Sequence, residues 1–138
     1  MNPRATSTVQ CRGLVPGIAR GALAVAREPL IIGRIDTRTG RLQDAGHSLH
    51  GRLLAGSIVC MPWAHGSSTG SYILLNLAAK GLAPAGLVMG VPDAVAIAGA
   101  VLAGIPLLAG ISADTLAALR DQSLCSIDGE TGILQLCD

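Results

Sequence analysis

Ser57-Ile58-Val59-Cys60-Met61 is followed by His65-Gly66-Ser67-Ser68-Thr69-Gly70-Ser71, and then by a segment with Ile73, Leu74, Leu77 and Ala78 at helical spacing that Gly81 stops. The first piece is a short apolar run suited to a buried strand, the second is rich in glycine and hydroxyls, and the third reads as a helix. The same alternation continues downstream. Ala85–Met89 reads as a strand, Asp93–Ala103 as a helix and Pro106–Ala109 as a strand. Strand, helix, strand, helix, strand implies parallel βα units in one sheet.

The flanks read differently. Gln10–Ala26 forms one or two β-segments broken at Pro16-Gly17. Asp36-Thr37-Arg38-Thr39-Gly40, between Ile31-Ile32 and Leu42, predicts a hairpin loop with Gly40 in the left-handed position. Ser112 caps a short helix ending near Arg120, and Ser123–Ile127 with Ile133–Leu136 forms a closing hairpin around Asp128…Gly132. The two turns resemble each other. The chain is an α/β protein, a β/β/α sandwich of parallel βα units flanked by antiparallel hairpins. Residues 11–138 form a single domain, and the polar residues 1–10 a flexible start.

Half of the 138 residues are hydrophobic, yet there is one Trp, one Tyr and no Phe, so Ala, Val, Ile and Leu must build the core. The formal net charge is +1 and no basic face stands out, which with the lack of aromatics argues against nucleic-acid binding. So few charges on a small domain leave apolar surface for a partner. Cys11, Cys60, Cys125 and Cys137 form no CxxC or Cys/His cluster, so no metal site is expected within this chain. No signal-peptide pattern is visible, and a reduced, cytoplasmic protein is expected. Ala94 to Ile111 has the length of a membrane span, but Asp93 at its start and Pro106 within it favour a buried helix followed by a buried strand.

The loop at 66–71 lies between a strand and a helix start. First-turn N–H groups lack partners within a helix, the helix dipole adds positive potential, and glycines allow close approach. Such a loop can hold an anion or stabilise a deprotonated hydroxyl. The competing reading is that Ser67 or Ser68 only caps the helix. A Walker-type loop is excluded because no Gly-Lys-Ser/Thr ending exists, and Gly66-Ser67-Ser68-Thr69-Gly70 does not fit a nucleophile elbow. Other candidates have structural readings: turn hydrogen bonding for His47 and His50, a helix cap for Asp93, the core for Cys60, and the hairpin for Asp36 and Asp44.

Gly66-Ser67-Ser68-Thr69-Gly70-Ser71-Tyr72, after a strand ending in Met61-Pro62, resembles the signature of the aconitase X swivelling domain. Asp36…Thr39-Gly40 with His47-Ser48-Leu49-His50-Gly51 is similar to a further stretch of that family. Leu54-Ala55-Gly56, Gly81–Val88 and Gly104-Ile105-Pro106-Leu107-Leu108 agree in order, so the resemblance covers about residues 12–137. The sequence departs at Ala64-His65, where the family usually has Gly-Arg or Gly-Lys, and at Ser48, where it has Pro.

The resemblance implies an aconitase swivel-like fold and a hydro-lyase (dehydratase) subunit that removes water from a small hydroxy acid. It would be active only with a large subunit, which would hold an iron–sulfur cluster or iron; this chain would bind no cofactor of its own. Ser67 would be the catalytic serine, with His65, Gly66, Ser68, Thr69, Gly70 and Ser71 around the substrate. The serine would take a proton as a metal assists the departing hydroxyl. His65 in place of a basic residue fits a non-phosphorylated substrate better, so we expect cis-3-hydroxy-L-proline or a related compound, with phosphomevalonate as the alternative. Two other classes compete. A phosphohistidine-type carrier domain would need its histidine inside the loop, whereas His65 precedes it, and a non-catalytic interaction module would use the serines only as a cap.

Overall fold

The computed structural model describes residues 7–65 and 70–137. In chain order the strands are β1 (Thr8–Gln10), β2 (Arg12–Val15), β3 (Ile18–Val25), β4 (Leu30–Ile31), β5 (Ile58–Met61), β6 (Ala64–His65), β7 (Gly86–Met89), β8 (Leu107–Ala109), β9 (Leu124–Asp128) and β10 (Ile133–Cys137). The helices are α1 (Gly70–Ala79), α2 (Ala94–Ala103) and α3 (Ala113–Ala118), and a 3-10 turn covers Ile32–Arg34.

Eight strands form one sheet in the order β1-β10-β9-β3-β5-β7-β8-β2. In the centre, β5, β7 and β8 are parallel, as the alternation of strands and helices predicts, and β3 of the flank joins them in parallel on β5. β5, β7 and β8 are apolar without interruption because both faces are buried. Val59 and Met61 of β5, Leu87 and Met89 of β7, and Leu107 and Ala109 of β8 point into one core beneath α1 and α2. Ile58, Cys60, Val88 and Leu108 point the other way, into a second core that α3 and the β9–β10 hairpin cover with Leu116, Leu119, Cys125, Ile127 and Leu134. The layers are therefore β, β and α.

The two edges of this sheet are β1, on β10, and β2, on β8. Only Cys11 separates them in the chain. Two residues span at most about 7 Å, so the edges lie side by side and the sheet closes around the second core. Closure brings β2 across the β9–β10 turn, where Cys11 N–H donates to the Gly132 carbonyl at 2.8 Å and Gly129 N–H to that of Gly17 at 2.8 Å. The backbones touch, and a Cβ on Gly129 would collide with the Val15 carbonyl.

The start of the chain corrects the reading of residues 1–10 as flexible. Thr8–Gln10 pair with Gln135–Ile133, and of residues 1–10 only 1–6 fall outside the description. The loop at 36–40 keeps its turn but loses its hairpin. Ile35 and Leu42 form a single bridge, and Leu30–Ile31 pair in parallel with Ala64–His65 instead. The turn itself repeats at 128–132. Asp36 Oδ1 accepts from Arg38 N–H and Gly40 has φ +76°, while Asp128 Oδ1 accepts from Glu130 N–H and Gly132 has φ +81°. Asp93 and Ser112 cap α2 and α3 by accepting from the N–H groups of Ala96 and Thr115. The helix in the 94–111 segment is only half buried, since Val101 and Leu102 of α2 face solvent. No helix among the described residues is long and apolar enough to cross a membrane.

One ion pair ties the 41–54 loop to the segment before β9. Arg52 Nη1 lies 2.8 Å from Asp121 Oδ2, and Asp121 Oδ1 accepts from Val25 N–H at 3.0 Å. Partial burial opposes ionisation of Asp121, but the hydrogen bonds from Arg52 and Val25 and the guanidinium charge outweigh it and lower its pKa. The folded pKa is depressed, so the contribution is present above the unfolded value of about 3.9 and is lost as pH falls through the folded one. Asp121→Asn should therefore shrink the drop in thermal midpoint between pH 6 and pH 3. Gly129→Ala should cost at least about 2 kcal/mol in urea denaturation, from overpacking against backbone. Gly33→Ala, where the nearest atom to a new Cβ is 4.0 Å away, should change stability by under about 0.5 kcal/mol.

Candidate functional site

The loop predicted to carry the chemistry is held at both ends. On its upstream side β5 leads through Met61-Pro62 into β6, whose His65 pairs with Ile31. The Pro62 carbonyl accepts from Val91 N–H at 2.9 Å, which fastens this exit to the segment before α2. On its downstream side α1 begins at Gly70, which is buried; a Cβ there would lie 3.4 Å from Val95 of α2 and 3.8 Å from Ile32. Next to it, the Ser71 Cα would lie 2.9 Å from a Cβ on Gly99, so α1 crosses α2 with backbones nearly in contact. Glycine at 70 and 99 thus lets the first turn of α1 sit deep between α2 and the 3-10 turn.

Of the predicted site residues, the structure describes His65, Gly70 and Ser71. His65 is exposed, Ser71 is half-buried, and they bracket the loop. Gly66, Ser67, Ser68 and Thr69, including the predicted catalytic serine, lie outside the described residues. The first turn of α1 carries no acidic residue. Its N–H groups and dipole therefore direct positive potential toward the end where the loop joins, without a carboxylate in that turn to cancel it.

The remaining histidines belong to turns. His47 is buried; its Nδ1 accepts from Leu49 N–H at 3.0 Å, which places the proton on Nε2, 3.2 Å from the Pro29 carbonyl oxygen. His50 Nδ1 accepts from Asp44 N–H at 3.0 Å. Both rings are spent on the 44–50 turn.

The cysteines do not fit a resident iron centre. All four are free thiols. Burial pushes the Cys60 thiol well up, with Cys125 and Cys11 adding to it, and burial raises Cys125 to about 12. A metal ligand must be a thiolate, which this core disfavours. Among the described residues no group of three or more His, Cys, Asp or Glu converges to hold a metal.

A feature the sequence reading passed over is lined in part by Pro62 and Trp63, just before His65 in the chain. At the carboxyl ends of β3, β5, β7 and β8 is an open crevice of about 410 Å³, whose lining includes Arg27, Pro62, Trp63, Val91, Ile111 and Leu116. Its lining comes from four separate segments, so no local pattern reveals it. The one available signal is the chain's only Trp, two residues before His65.

Comparison with known proteins agrees with this fold. The family model described as the aconitase X swivel domain matches residues 8–136. The phosphomevalonate dehydratase small subunit of Pyrococcus furiosus is 36% identical over 126 residues, covering 91% of this chain and 92% of the relative. The protein of the same name from Methanothermobacter thermautotrophicus is 36% identical over 125 residues, covering 90% and 95%. The crystal structure of Thermococcus kodakaraensis aconitase X (holo-form) superposes with a TM-score of 0.89 at 28% identity, covering 96% of this chain and 99% of that one. A match along nearly the whole length, in family model, sequence and fold alike, makes this chain a member of the aconitase X swivel-domain family.

Proposed function

We propose that the chain is the small subunit of an aconitase X-type dehydratase, that it works with a larger subunit, and that the substrate is phosphomevalonate. The observation that carries this reading is the end-to-end match to relatives named phosphomevalonate dehydratase small subunit. It favours phosphomevalonate, the alternative drawn from the sequence, over cis-3-hydroxy-L-proline. The replacement of a basic residue by His65 is a weaker argument than homology over nine-tenths of both chains.

Ser67 is the group we propose to take a proton from the substrate, and the two anchored ends of its loop support that role. A serine is a weak base in water. It becomes competent when water is excluded and N–H donors stabilise its alkoxide, and the first-turn N–H groups of α1, which have no partner within the helix, lie where the loop ends. Water exclusion needs a cover, which the larger subunit would supply. His65, Gly66, Ser68, Thr69, Gly70 and Ser71 would contact substrate oxygens. An iron–sulfur or iron centre belongs to the larger subunit in this reading, because the described residues here do not fit one. The free cysteines suit a reducing, cytoplasmic setting. The carrier-domain reading has no observation in its favour.

The test is an anaerobic dehydratase assay on the two subunits expressed together. Turnover of phosphomevalonate should require both chains, and Ser67→Ala should lower kcat by about 100- to 10,000-fold while the complex still assembles. Turnover of cis-3-hydroxy-L-proline instead would reassign the substrate. Activity unchanged by Ser67→Ala would reduce the loop to a helix cap and the chain to a non-catalytic module.

A further inference from the structure

We infer that His47 is a proton-operated latch: its neutral imidazole ties the 44–50 turn to the chain just before β4, and protonation of the ring releases that tie. The inference goes beyond the reaction proposed above and does not depend on it.

The tie runs in both directions between residues 47–48 and residues 27–29. His47 Nε2 lies 3.2 Å from the Pro29 carbonyl oxygen, Ser48 N–H donates to Glu28 Oε1 at 2.7 Å, and Arg27 N–H donates to Ser48 Oγ at 3.1 Å. Within the turn, Leu49 N–H donates to His47 Nδ1 at 3.0 Å. Both partners of the ring are backbone groups, whose roles cannot reverse. Leu49 N–H can only donate, and the Pro29 carbonyl can only accept. The ring is therefore neutral, with its proton on Nε2.

His47 is 9% exposed, and the bond from Leu49 N–H is buried. A proton on Nδ1 sets one N–H against another there. A buried donor that loses its acceptor is costly, so the ring and the turn must part.

The charges around the ring do not restore the lost bond. Before β4 stand Arg27 and Glu28. The Arg27 guanidinium donates to the Ala117 carbonyl oxygen at 3.3 Å. Slight burial opposes ionisation of Glu28, but the hydrogen bonds from Ser48 and the charges of His47 and Arg27 lower its pKa overall. An ionised Glu28 favours the imidazolium once it forms, yet it accepts from Ser48 and leaves Leu49 N–H without a partner. In the turn itself, His50 Nδ1 accepts from Asp44 N–H, and beyond it Arg52 is paired with Asp121. Among the described residues the ring is bonded to Leu49 and Pro29 alone.

Pro29 is followed at once by β4, which pairs with Ala64–His65. Release of the latch therefore acts on the small sheet that carries His65. Histidine is the side chain that changes charge nearest neutral pH, and acid is the trigger.

NMR of the full chain, with 15N in the histidine rings and the backbone, tests this between pH 8 and pH 5. At pH 8 the His47 ring should show the Nε2–H tautomer. As the ring gains its proton, the amides of Arg27, Ser48 and Leu49 should shift with the same midpoint, and exchange protection of Leu49 should fall at least about tenfold. His47→Asn keeps an acceptor two residues before Leu49 but cannot titrate, so in that variant the three amides should hold still over the same range. An Nδ1–H tautomer at pH 8 would overturn the latch, as would a ring that stays neutral down to pH 5. Protonation that leaves the three amides unmoved, or equal shifts in His47→Asn, would also sink it. The tautomer and the shared midpoint are read on the wild-type chain, so they decide the matter even where the variant does not fold.

Discussion

A single residue, Cys11, stands between strands on opposite edges of the main sheet. The chain cannot satisfy both ladders unless the edges meet, so an eight-stranded sheet that could lie open is forced to close on itself. Closure divides the apolar interior in two. One core fills the curl of the sheet and the other lies outside it under α1 and α2. The parallel strands between them are buried on both faces and form a rigid floor. The exit of β5, the start of α2 and the first turn of α1 are all fixed to that floor, and they in turn fix the ends of the serine loop. Closure is only possible where backbone meets backbone, at Gly129 and Gly132 against β2.

The parallel centre was legible in the sequence because each strand is a short apolar run and each helix carries its own punctuation. Asp93 and Ser112 are caps that act within three residues, and the Asp…Gly turns at 36–40 and 128–132 are set by local hydrogen bonds. Local signals of this kind survive in a single sequence. Elements that depend on distant partners were not legible. Thr8–Gln10 is too short and polar to announce a strand, and it exists only because β10 supplies the ladder. Leu30–Ile31 pairs with Ala64–His65 across 34 positions and not with its neighbour across the turn. The exposed face of α2 reads like a buried helix because nothing in Ala94–Ala103 is polar; half of that apolar surface faces out.

The site divides along the same line. Its loop was legible through its order of residues, strand, Gly-Ser-Ser-Thr-Gly-Ser and helix, and through resemblance to a family; hydrophobic periodicity contributed only the elements on either side. The crevice was not legible, since its walls are short stretches just beyond the carboxyl ends of β3, β5, β7 and β8, far apart in the chain. Small residues at the α1–α2 crossing had no visible reason in the sequence either. Gly70 and Gly99 acquire one only when the two helices are seen to touch.

The pairing of β1 with β10 joins residues near the two ends of the described chain, Thr8 with Gln135. On the ribosome β1 is made more than a hundred residues before its partner. Until residues 124–137 have emerged, β1 has no ladder and the inner core has no lid. The βα units can assemble during synthesis, because β5, α1, β7, α2 and β8 come one after another at short intervals, but the curl itself cannot. Long-range closure of this kind is slow compared with local pairing. A chain whose residues 124–137 are not yet made therefore lacks the β9–β10 part of the cover over Ile58, Cys60 and Val88.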